Sequence, residues 1–145
     1  MFDHATNAED VQDLLLDHEE SPRNRGRAID ATHTAVRRHP LCGDEVAVTV
    51  RVKDGRATEV RWEGRGCVLC RASASLTCEA AEGRPVAELS ATDDAELVHC
   101  LGLPLSPAKR ICATLPLTAL RAALAIRKHF PPEPESSSAS SCAPS

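Results

Sequence analysis

The stretch that most restricts the fold begins at Val46. Val46, Val48, Val50 and Val52 alternate with Ala47, Thr49 and Arg51, so an extended chain here carries one wholly apolar face that something else must cover. Asp54-Gly55 follows between Lys53 and Arg56. Both central positions of the favoured two-residue hairpin turn need positive φ, and this pair supplies residues that tolerate it. The returning strand is predicted to place Thr58, Val60 and Trp62 on one face and Glu59, Arg61 and Glu63 on the other. An antiparallel hairpin with a buried side is therefore the nucleus of the fold.

Around it the chain reads as helices. Asn7 is a suitable N-cap, with Glu9 and Asp10 where a helix start favours negative charge, and Val11, Leu14, Leu15 and His18 keep helical spacing. Ser21-Pro22-Arg23-Asn24-Arg25-Gly26 ends that helix and opens a loop to about Pro40. After the hairpin, Gly64-Arg65-Gly66 permits a sharp reversal, and Cys67 to Cys70 reads as a short third strand. Residues 72–82 (ASASLTCEAAE) are small and helix-forming, with Gly83 as a stop. Short helices are expected over Val86–Leu89 and Asp93–Cys100. Ser106-Pro107 reads as an N-cap followed by proline at the first helical position. A last helix turns Leu117, Leu120 and Leu124 inward and ends at Arg127, Lys128 and His129, with a break near Thr114 because of Pro116. The fold class is α+β: a small antiparallel three-stranded sheet with helices packed on one face. Residues 1–130 form one domain, and the Pro/Ser-rich segment 131–145 is expected to be a disordered tail.

Composition excludes several classes. The net charge is −4 and the aromatic residues are Phe2, Trp62 and Phe130, so neither a basic groove nor stacking platforms for nucleic acid are present. The basic run Arg23 to Arg27 reads as a solvated loop. Apolar runs fall far short of the ~20 residues of a membrane span. An odd number of cysteines, seven, and no signal-like start point to a reducing cytoplasm.

Those cysteines lie at 42, 67, 70, 78, 100, 112 and 142. Cys42, in His39-Pro40-Leu41-Cys42-Gly43-Asp44, is either a ligand that shares an ion with the Asp44 carboxylate or a buried cysteine. Cys67 follows a glycine-flanked turn and precedes a helix, where amide N–H groups favour a thiolate. Cys112 can approach from a third element. Three thiolates and one carboxylate satisfy a tetrahedral Zn²⁺ or hold a small iron–sulfur cluster. The carboxylate is the poorest of the four partners for a cluster, so its corner opens most easily. Cys70 makes a CxxC with Cys67, but a redox pair of that spacing belongs to a strand-to-helix turn of a βαβ unit. It is read as a packing residue or secondary thiol. Cys78 and Cys100 are read as core, and Cys142 as a free thiol of the tail.

In order and spacing these segments resemble the U-type iron–sulfur cluster assembly scaffolds, the IscU, SufU and NifU N-terminal group. The resemblance runs from about Val11 to Arg127 through LLLDHEESPRNRG, PLCGD at 40–44, GRGCVLCRASAS at 64–75 and KRICATLPLTAL at 109–120. It implies that Cys42, Asp44, Cys67 and Cys112 are the ligands of a transient cluster, commonly [2Fe–2S], or of zinc in the cluster-free state. It implies a scaffold or carrier rather than an enzyme. Sulfur would come from a cysteine desulfurase, with Cys42 or Cys112 as persulfide acceptor, and the cluster would pass to apo iron–sulfur proteins. The alternative is a zinc-containing, SufU-type sulfur acceptor; a structural zinc domain is a third reading. The residue before Cys112 is Ile111, where the IscU branch has histidine and the SufU branch typically a basic residue. The Cys67–Cys112 spacing resembles IscU and NifU, while KRICATL is closer to SufU.

Overall fold

The computed structural model describes residues 8–41, 43–102 and 105–125. Three strands form one antiparallel sheet in the order β1 (His33–Arg38), β2 (Glu45–Lys53) and β3 (Arg56–Arg65). Asp54 and Gly55 turn the β2–β3 hairpin with φ of 55° and 78°, as their side chains allow. Five helices complete the chain: α1 (Ala8–Glu20), α2 (Val68–Ala81), α3 (Val86–Ala91), α4 (Asp94–Leu101) and α5 (Pro107–Ala125).

Val46, Val48 and Val50 of β2 and Val60 and Trp62 of β3 are buried against α2 and α5. Leu117 and Leu120 of α5 are fully enclosed in the same core and Leu124 lies at its margin. Truncating either enclosed leucine to alanine costs about 2–5 kcal/mol. Asp93 caps α4 by accepting from the Glu96 N–H. Ser106 caps α5 through the Lys109 N–H, directly before Pro107.

Several expectations need correction. The loop expected up to Pro40 contains strand β1. Its sequence HTAVRR lacks alternation because it is an edge strand that buries Ala35 and exposes Val36, Arg37 and Arg38. Such edge charges also discourage pairing with another chain. The expected third strand at Cys67–Cys70 is instead the start of α2, so the sheet has three strands for a different reason.

Thr58 does not face inward. Arg51 pairs with Glu59 but Val52 with Ala57, leaving Thr58 as the extra residue of a bulge that exposes it. Finally, α5 runs unbroken through Pro116. Nearly every residue from Cys112 to Leu124 is buried, and that packing outweighs the one backbone hydrogen bond proline removes.

The run Arg23 to Arg27 is more tightly held than a solvated loop, although Arg25 and Arg27 stay exposed. It lies along the outer edge of β3, where a fourth strand would go. Trp62 N–H donates to the Asn24 carbonyl (2.9 Å), Gly26 N–H to the Trp62 carbonyl (2.8 Å), and the Trp62 indole N–H to the Arg23 carbonyl (2.8 Å). Arg23 pairs with Asp17, Arg27 with Glu63, and the Arg25 guanidinium stands 5.4 Å over the Trp62 ring. Asn24 bends the segment with a φ of 60° and donates its side-chain amide to the Val60 carbonyl.

The expected cap Asn7, Cys42, the end of the last helix at Arg127–His129, Cys142 and the tail lie outside the described residues.

Candidate metal centre

Three elements converge at one end of the sheet. Asp44 immediately precedes β2, Cys67 is the N-cap of α2, and Cys112 lies in the second turn of α5. Their ligand atoms all lie within 4.8 Å of one another. Asp44 and Cys112 are buried and Cys67 is half-buried. Ligand atoms around a tetrahedral zinc sit about 3.5–3.8 Å apart at bond lengths of about 2.0–2.3 Å. The Cys112 thiol already donates to Asp44 Oδ2 at 3.4 Å, so the donor set fits a tetrahedral ion. Cys42 falls between Leu41 and Gly43, beside this group in sequence.

Glycines make the approach of these elements feasible. A Cβ on Gly64 would run into the Glu45 carbonyl oxygen on the neighbouring strand. A Cβ on Gly66 would fall 2.7 Å from Asp44 Cγ. The GRG segment therefore does not act as a reversal: β3 continues to Arg65, and each glycine leaves room for β2 or the carboxylate that precedes it.

The electrostatics suit a cation-binding site. Burial, then hydrogen bonds to Asp44 and Cys67 and their negative charge, pushes the Cys112 thiol up to about 12. A bound cation reverses that balance by favouring thiolate. The N-terminus of α2, with no acidic residue in its first turn, points its positive end at the same cluster.

Residue selection from sequence overlooked His39. It is buried, and its backbone N–H donates to the Asp44 carbonyl (2.7 Å) while its carbonyl accepts from Gly43 N–H (3.2 Å). Its Nδ1 accepts from Leu41 N–H (3.0 Å), which leaves the proton on Nε2 facing the Ala108 carbonyl of α5 (3.4 Å). His39 thus ties both sides of the Cys42 position, and Asp44 itself, to the helix bearing Cys112. Its place three residues before Cys42 was the one available signal.

The serines of the small-residue segment ASAS act as connectors. Ser73 donates to the Ala113 carbonyl beside Cys112. Ser75 accepts from Arg23 N–H (2.7 Å) and bonds His18 Nδ1 (2.6 Å), fastening α1 and the edge segment to α2. Cys70 and Cys78 are fully buried and Cys100 nearly so, in line with core positions.

The family model for the NifU-like N-terminal domain matches residues 10–130. The chain belongs to this family. It is 34% identical over 113 residues to the iron-sulfur cluster assembly scaffold protein IscU 1 of Archaeoglobus fulgidus, covering 77% of this chain and 72% of that protein. It is 30% identical over 73 residues to the zinc-dependent sulfurtransferase SufU of Bacillus subtilis, covering 50% and 49%. The crystal structure of the N-terminal part of a nitrogen-fixing NifU-like protein from Brucella abortus shares the fold. Its TM-score is 0.65 at 19% identity, over 81% of this chain and 95% of that one. In this NifU-like domain the sheet end just described is where the sequence-selected residues Asp44, Cys67 and Cys112 meet.

Proposed function

We propose that this protein is a scaffold on which iron–sulfur clusters are assembled and from which they are passed to apo-proteins. The observation that carries the reading is the donor set: two thiols and one carboxylate from three elements, within 4.8 Å of one another and mostly buried. Cys42 is proposed as the fourth ligand, on the loop that His39 fastens beside Asp44. Iron prefers thiolate, so the Asp44 corner is the weak one and the natural point of exchange. A binuclear cluster, with two irons bridged by sulfide, suits four protein ligands. The likeness to a scaffold from Archaeoglobus fulgidus over most of both chains supports the same role.

Sulfur arrives, on this reading, from a cysteine desulfurase as persulfide, with Cys42 or Cys112 as acceptor. Recipients are apo iron–sulfur proteins. Cytoplasmic residence is part of the proposal; no described helix is long and apolar enough to cross a membrane. The domain spans residues 1–130.

Anaerobic incubation with ferrous iron, cysteine and a cysteine desulfurase tests the proposal. The expected product is a protein-bound chromophore with equal iron and acid-labile sulfide, lost on chelation. Absence of bound iron and sulfide in the wild-type chain overturns it.

A second reading is favoured by the likeness to a zinc-dependent sulfurtransferase and by a donor set equally suited to zinc. In it the zinc-loaded protein accepts persulfide sulfur without building a cluster. About one zinc per chain and faster desulfurase turnover on adding the zinc form are its expected signs.

A further inference from the structure

The CVLC segment contains a thiol that the ligand group does not use. Cys67 is the N-cap of α2, in extended conformation (φ −70°, ψ 166°), and its carbonyl accepts the Arg71 N–H at 3.1 Å. Cys70 is the third residue of that helix and is fully enclosed. The Cys67 side chain makes no capping bond to the helix backbone, so no such bond holds its thiol away from Cys70. Positions three apart on a helix hold their Cβ atoms about 5–6 Å from each other, and a disulfide needs about 3.5–4.5 Å. A small adjustment at the non-helical cap residue closes that difference.

The strand-to-helix turn that a CxxC redox pair requires is therefore present, although the sheet is antiparallel. One thiol is half-buried and belongs to the donor cluster; the other is fully enclosed. Burial, then the negative charge of Asp44 and Cys67, pushes the Cys70 thiol up to about 12.

We propose that Cys70 is a resolving thiol that frees sulfide from a persulfide carried on Cys67. The proposal rests on sulfur reaching this site as persulfide. Sulfane sulfur on Cys112 passes first to Cys67, whose ligand atom lies within 4.8 Å: the Cys67 thiolate attacks the outer sulfur and the Cys112 thiolate leaves. As the Cys70 proton passes to the sulfane sulfur, Cys70 sulfur attacks Cys67 Sγ. The bond from Cys67 Sγ to the sulfane sulfur breaks, a Cys67–Cys70 disulfide forms, and the sulfane sulfur departs as H₂S. Counted from the two thiols and neutral sulfur, the pair gives up two electrons and the sulfur gains them. An external dithiol restores the reduced pair. Cluster sulfur is sulfide and persulfide sulfur is not, so the step supplies the electrons at the place of assembly.

The test uses the full reduced, metal-free chain, loaded anaerobically with sulfane sulfur from inorganic polysulfide, freed of reagent by rapid desalting and held with no added thiol. Released sulfide is trapped and cysteine-linked peptides are mapped by mass. Wild type is expected to end with a Cys67–Cys70 disulfide and to release sulfide at least ~10-fold faster than Cys70→Ser and Cys70→Ala, which retain a persulfide 32 Da heavier on Cys67 or Cys112. Sulfide release at the wild-type rate in both variants overturns the proposal. So does a wild-type product whose disulfide is Cys67–Cys112, which needs no variant to fold. Cluster formation by wild type in dithiothreitol, where the reagent supplies electrons, separates the two ideas. Success there, with no Cys67–Cys70 disulfide formed in the thiol-free polysulfide reaction, overturns this step alone; failure there overturns the scaffold reading.

Discussion

The carboxylate of Asp44 rests against the α-carbon of Gly66, with no space between them for a methyl group. The same carboxylate accepts from the backbone N–H of Cys67 and the thiol of Cys112, each at 3.4 Å. Gly66 thus sets how closely the aspartate approaches both thiols.

Gly66→Ala is expected to push Asp44 aside and lower zinc affinity about 10- to 100-fold, the usual range for a disturbed support of a metal site. Chelator competition measures it. Unchanged affinity would contradict the placement of Asp44 in the site.

Asp44→Cys replaces the weakest donor by thiolate. Cluster transfer to an apo-acceptor should slow at least ~10-fold while reconstitution still succeeds. Equal transfer rates would remove the carboxylate from the release step.

His39 serves the site without being assigned as a ligand. Its replacement by alanine takes away the acceptor for Leu41 N–H and the donor to the Ala108 carbonyl. Zinc affinity should fall about 10-fold, and Gln, which can reproduce one of the two bonds, should recover part of it. Equal affinities for wild type and His39→Ala would show that the loop needs no such tie.

Acid should loosen the attachment of α1. Burial, then the Arg23 charge, holds the His18 imidazole below its ordinary value of 6.5, outweighing Glu79 and Asp17, which act to raise it. The unfolded chain therefore binds the proton more readily than the folded one. Stability is full above about 6.5 and declines as pH falls below it, by at most about 1.4 kcal/mol per unit. Denaturant titrations of the metal-free protein at several pH values should show this slope, and His18→Gln should flatten it. An unchanged slope in the variant would place the acid-sensitive group elsewhere.

The hairpin and the helices α4 and α5 were legible because each rests on local signals. Alternation, positive-φ turn residues and N-cap chemistry act within a few residues of one another, whereas Asp44, Cys67 and Cys112 lie far apart in the chain and were brought together by the family resemblance. What escaped depends on partners far along the chain. Arg37 and Arg38 disguise β1 because an edge strand can leave its charges in solvent. Pro116 should break a helix, yet Leu115, Leu117 and Leu120 on the same turns are held in the core. Thr58 continues a β alternation that a bulge interrupts. Cys70 looked like filler because its companion at the helix cap is recognisable only once α2 is known to start at Val68.

The bulge at Thr58 has a reach beyond its own strand. Strand β2 is 9 residues long, about 30 Å at ~3.4 Å per residue, with the turn at one end and Asp44 at the other. Because Thr58 is unpaired, Glu45 meets Arg65, and Gly66 falls into line with Asp44. Were the ladder to run straight on from Val52 and Ala57, Glu45 would meet Gly64, Arg65 would occupy the place of Gly66, and Glu59 and Arg61 would turn toward the core. The hairpin is in effect a length standard. Its residue count, fixed at the end farthest from the donor atoms, decides which α-carbon the aspartate meets.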